Sequence, residues 1–70
     1  MKSYLVIYEQ APNGDWGAHS PDVEGVYALG DTREEVEARM EEAVRAYFDL
    51  LREEGRDLPE PHTSAGHVAA

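Results

Sequence analysis

The stretch SPDVEGVYALGDTREEVEARM, Ser20 to Met40, decides the fold. Pro21-Asp22 opens a turn, and Gly25 closes it with backbone freedom that other residues lack. GVYALG is then a strand, with Val26 and Ala28 on one face and Tyr27 and Leu29 on the other. Gly30-Asp31 breaks it. Thr32 followed three positions later by Glu35 is a capping-box pattern, so a helix begins at Arg33. Asp31, Glu34 and Glu35 put negative charge where the helix dipole favours it. Turn, strand and capped helix are joined with no spare residue, and none of these side chains is an evident catalyst.

On the C-terminal side, Val36, Met40, Ala43, Val44, Tyr47, Phe48 and Leu51 recur at spacings of three and four. They form one apolar stripe and predict a helix from about Arg33 to Glu54. Glu35 to Arg39 and Glu41 to Arg45 are i,i+4 pairs in the favourable orientation. Gly55 is a natural residue just past the helix end, and Pro59 and Pro61 prevent the helix from resuming. On the N-terminal side, Lys2 to Gln10 is rich in β-branched and aromatic residues and reads as a first strand, apolar on both faces. Asn13-Gly14 predicts a type I′ turn back into a second strand, DWGAHS. The tail HTSAGHVAA, residues 62–70, reads either as a short fourth edge strand or as disordered chain. The expected architecture is α+β: a three-stranded antiparallel sheet with one long helix on a face, βββα, with a possible short fourth strand. Residues 1–61 form the domain, and 62–70 its tail or edge strand.

The chain has 70 residues and no cysteine. One small domain is expected, and neither a disulfide nor a cysteine zinc site can reinforce it. A tight core or self-association remains, and the two apolar faces of the first strand lead us to expect at least a homodimer. No apolar run reaches the roughly 20 residues of a membrane span. The N-terminus is too short and polar for a signal peptide, so a cytoplasmic protein is expected. The formal charge is −9, from 15 acids and 6 bases. That charge repels nucleic-acid phosphates and attracts a basic partner.

No chemistry-bearing constellation stands out. His19, His62 and His67 lack metal-ligand spacing. Glu9, Asp15 and Asp22 could in principle hold Mg²⁺, but turn chemistry accounts for the two aspartates. Ser20 adjoins His19, but strand neighbours point to opposite faces. No glycine-rich phosphate loop is present. The expectation is no enzyme, no cofactor and no metal. What remains is surface: Trp16, Asp22, Tyr27 and Glu34 are the candidate partner-binding residues, with Trp16 also readable as core. Gly14, Pro21, Gly25, Gly30, Asp31, Thr32, Glu35 and Gly55 are read as structural.

From Tyr4 to Pro61 the order and spacing of Pro21-Asp22, Gly25, Gly30-Asp31-Thr32, Glu34-Glu35, Glu42-Ala43-Val44, Gly55 and Pro59 resemble the HicB-like antitoxins of bacterial and archaeal toxin–antitoxin pairs. The resemblance implies a partial RNase H-like fold without that enzyme's site. It also implies neutralisation of a small basic HicA-type toxin, an mRNA-cleaving ribonuclease, by covering its active site. Two departures stand out. Val23-Glu24-Gly25-Val26 replaces the family's usual Leu-Pro-Gly-Cys. Only nine residues follow Pro61, too few for the ribbon-helix-helix or helix-turn-helix domain of many members, so direct DNA binding is not expected. A solitary homo-oligomeric structural or ligand-binding domain without a toxin is the alternative.

Overall fold

The computed structural model describes residues 2–70. Three strands, β1 (Ile7–Gln10), β2 (Trp16–Ser20) and β3 (Val23–Gly30), are followed by one helix, α1 (Arg33–Glu53). The sheet is antiparallel in the order β1-β2-β3. The expected βββα architecture is the one observed.

Strand β1 is shorter than the apolar run that announces it. Its register pairs Ile7 with His19 and Gln10 with Trp16. Continued backwards, Val6 and Leu5 would need Ser20 and Pro21 as partners. There β2 already turns, and a proline has no N–H to offer. Residues 2–6 therefore run on outside the ladder. Two of their side chains still pack inward: Val6 joins Tyr8 of β1 in one core cluster, and Tyr4 joins the other.

The first hairpin is not type I′. The Gly14 amide donates to Ala11 O (2.9 Å) and the Ala11 amide to Asp15 O (2.8 Å). Gly14 has φ +95°, and among the described residues no non-glycine has positive φ, so Asn13 is not left-handed. This is the three-residue loop that ends in a left-handed glycine. Pro12 explains the shift, because its fixed φ suits the first central position of the turn. The Asn13 side chain accepts the Asp15 amide at 3.0 Å.

The second hairpin also departs from expectation. Gly25 does not close the Pro21-Asp22 turn but lies inside β3. Ser20 pairs with Val23 while His19 pairs with Tyr27, so Glu24, Gly25 and Val26 bulge out of the ladder. Gly25 takes φ +80°, which the bulge requires. The bulge turns β3 so that Val23, 1% exposed, reaches the C-terminal half of the helix.

Helix α1 starts where the sequence places it. Thr32 Oγ1 accepts the Glu35 amide at 3.2 Å. The reciprocal half of the capping box is replaced, because the Glu35 carboxylate pairs with Arg39 at 2.7 Å. Glu54 is the C-cap. The Gly55 amide donates to Arg52 O and the Arg56 amide to Leu51 O, the two hydrogen bonds of a Schellman ending. No strand forms in residues 62–70, so the fourth-strand alternative is not realised.

The core lies between the helix and one sheet face. Ala18 and Ala28 pair directly across β2 and β3, and their small side chains let Val36 and Met40 settle onto the sheet. A second cluster joins Val23, Phe48 and Leu51, with the Tyr4 ring tilted against Phe48 at a centroid distance of 5.0 Å. Gly30 lets the helix begin tight against the strand end: a Cβ there would meet Val36 Cγ2 at 3.0 Å.

Candidate functional surface

Two arrangements outside the core concentrate polar chemistry. One is a buried tie, the other an uncovered sheet face.

The tie is centred on Asp22. Its carboxylate is fully covered. Oδ1 accepts the Thr63 hydroxyl at 2.8 Å, and Oδ2 accepts the amides of His62 (3.2 Å) and Thr63 (3.1 Å). His62 Nε2 stands 3.3 Å from Oδ1. Desolvation pushes the carboxyl pKa up, but the hydrogen bonds from Thr63 and His62 and the nearby imidazole outweigh it, leaving the group below the ordinary aspartate value. Asp22 therefore folds the segment after the helix back onto the β2–β3 turn. Leu58 packs on the second core cluster, and the Tyr4 hydroxyl donates to Pro59 O at 2.6 Å. Asp22, expected to face a partner, has its charge spent inside the molecule.

The uncovered face is the side of the sheet away from the helix. Alternation and register place Ile7, His19 and Tyr27 in one row across it, and Glu9, Gly17 and Leu29 in the next. Tyr27 is 69% and Leu29 65% exposed. Leu29 leans over Gly17, whose missing side chain leaves room for it. Glu9 lies 3.9 Å from His19 Nδ1. Towards the first hairpin the face runs into a hollow of about 440 Å³ whose walls include Glu9, Asp15, Trp16, Gly17 and Leu29. Trp16 is half-buried: it packs against the first core cluster and still reaches the hollow. Glu34 is exposed in the first helical turn.

The charges are distributed unevenly. On the helix, Arg33 pairs with Glu37, Arg39 with Glu35, Arg45 with Glu41 and Arg52 with Asp49. Beyond it, Arg56 pairs with Glu54 and Lys2 with Glu60. All six Lys and Arg are thus matched to six different acids. Of 15 acids, nine are left without a Lys or Arg, a number equal to the net charge. Glu9, Asp15 and Glu34 are among the nine.

Tyr27 is exposed, whereas Trp16, readable from the sequence either as core or as an anchor, packs on the first core cluster and still reaches the hollow. Sequence reading brought Gly17 and Leu29 onto strand faces without seeing that they meet. The available signal was a glycine in mid-strand, which often marks a close approach. Glu9, Asp15 and Asp22 do not converge, and among the described residues no group of three or more His, Asp or Glu is placed to hold a metal ion. No described helix is long and apolar enough to cross a membrane.

The profile of a family described as HicB_like antitoxin of bacterial toxin-antitoxin system matches residues 4–70. Antitoxin HicB 2 of Photorhabdus laumondii subsp. laumondii is 37% identical over 60 residues, which cover 86% of this chain. The chain spans 42% of that relative's length. No solved structure matches the chain. A family match over nearly the whole chain, with a relative at this identity, shows that the chain belongs to the HicB-like antitoxins of bacterial toxin–antitoxin systems.

Proposed function

We propose that the protein neutralises a small basic HicA-type toxin, an mRNA-cleaving ribonuclease, by covering its active site, and that it catalyses nothing itself. Family membership supports a toxin partner. The observation that carries the reading further is the charge balance: every Lys and Arg is internally paired, and the surplus is entirely acidic. Such a surface speeds the approach of a cationic protein and repels the RNA that protein cuts. It also argues against direct nucleic-acid binding by these residues. A cytoplasmic location, where mRNA is found, follows from this reading.

The test is co-expression with a small basic HicA-type ribonuclease. Co-purification and suppression of mRNA cleavage are expected. Undiminished cleavage in the presence of excess protein would refute the reading.

A second reading, self-association, rests on the free edge of β3. Tyr27 to Gly30 carries no charge and no proline of its own, with a bulge before it and the Arg39 guanidinium on Leu29 O as the protections of this edge. Antiparallel pairing of two such edges would extend the sheet into a homodimer. Sedimentation at micromolar concentration tests it, with a dimer expected and a monomer contradicting it.

A further inference from the structure

We propose that the hollow beside Gly17 on the uncovered sheet face is where the partner docks, and that it receives an arginine or lysine side chain of a cationic protein. This deepens the antitoxin reading and rests on it.

Three observations converge. The face is apolar and uncovered at Tyr27 and Leu29, the kind of side chains that anchor protein interfaces. Gly17 gives the middle strand no side chain, and with Leu29 leaning over it the two line a recess of about 440 Å³ towards the first hairpin. The recess has an apolar wall, Leu29 and Trp16, and an acidic rim, Glu9 and Asp15. A long cationic side chain matches both parts, with its aliphatic stem against the wall and its charged head at the rim.

The charge pattern selects the occupant. Among the described residues, Glu9 and Asp15 have no Lys or Arg within ion-pair reach, and all six in the chain are engaged elsewhere. A second copy of this chain brings, among the described residues, no Lys or Arg without an acid partner, and the same excess of acid. A strand from a neutral protein would leave both carboxylates facing apolar surface, at a desolvation cost. A basic protein satisfies them.

The experiment has two arms on the full chain. In the first, affinity for a catalytically inactive form of a small basic HicA-type ribonuclease is measured by calorimetry. Glu9→Gln with Asp15→Asn, and separately Gly17→Val, should each weaken binding at least tenfold. Glu42→Gln with Glu53→Gln removes the same charge from the helix and should change it less than threefold. In the second arm, the ¹⁵N-labelled protein is titrated with N-acetyl-arginine amide. The amides of Glu9, Gly17 and Leu29 should shift together, and the shifts should vanish in Gly17→Val. Equal losses from the helix pair and the rim pair, or an arginine derivative that leaves Gly17 unmoved, would overturn the docking site and leave the antitoxin reading standing. A wild-type chain that ignores the ribonuclease while the arginine derivative still moves Gly17 would overturn the antitoxin reading, and with it the assigned partner.

Discussion

Asp22 and Thr63 lie 41 positions apart and are joined twice: the threonine hydroxyl reaches one carboxylate oxygen at 2.8 Å and its amide the other at 3.1 Å. This pair, with the His62 amide, determines where the chain goes after the helix. The folded state lowers the Asp22 pKa, so it favours the ionised form. The stabilisation is complete above the pKa of the unfolded chain and is lost as pH falls through the lower folded value. In ¹⁵N spectra the His62 and Thr63 amides should move through a transition whose midpoint lies below that of an ordinary aspartate. Asp22→Asn keeps the shape, removes the charge and should abolish the transition. An unchanged transition in that variant would place its cause elsewhere.

Thr32→Ala removes the oxygen that accepts the Glu35 amide. The usual cost of losing such a cap is about 1 kcal/mol. For a domain of this size that corresponds to a drop in Tm of roughly 4–8 °C. Because the Glu35 carboxylate pairs with Arg39 and not with the cap, Glu35→Ala should cost less than Thr32→Ala. Thermal denaturation of the two variants under one buffer compares them directly.

What the sequence reveals here follows the range of the interactions. The helix start at Arg33 and its Gly55 ending depend on residues within one turn, and both were legible. The length of β1 was not, because it is limited by Pro21 across the sheet. The hairpin at Asn13-Gly14 was misjudged because Pro12, next to it, decides which residue takes the left-handed position. The tie at Asp22 was invisible, since its partners lie some forty positions away and Asp22 is also a natural turn residue. Tyr27 and Leu29 were assigned to one face, but only the single helix, docked on the opposite face, leaves that face bare.

Met40 is 1% exposed and sits between Ala18, Ala28 and Val36. The two alanines come from paired strands and cannot close on a void. Met40→Ala should therefore cost about 2–5 kcal/mol, in the range for buried truncations. Small domains have only about 5–15 kcal/mol in total. Urea unfolding should show a midpoint far below that of the wild type. A shift of only a few tenths of a molar would mean that the helix can settle onto the sheet and fill the space.

Tyr27 and Leu29 separate stability from binding. Both are more than 60% exposed and make no part of either core cluster. Tyr27→Ser and Leu29→Ser should change stability by less than about 1 kcal/mol, the scale of strand preference on a solvated face. If this face meets the toxin, the same changes remove apolar contact at the centre of the interface, and affinity should fall at least tenfold. Chemical denaturation and calorimetry on the same preparations give the two numbers. Loss of both together would show that the face helps hold the fold, and loss of neither would move the interface to another part of the acidic surface.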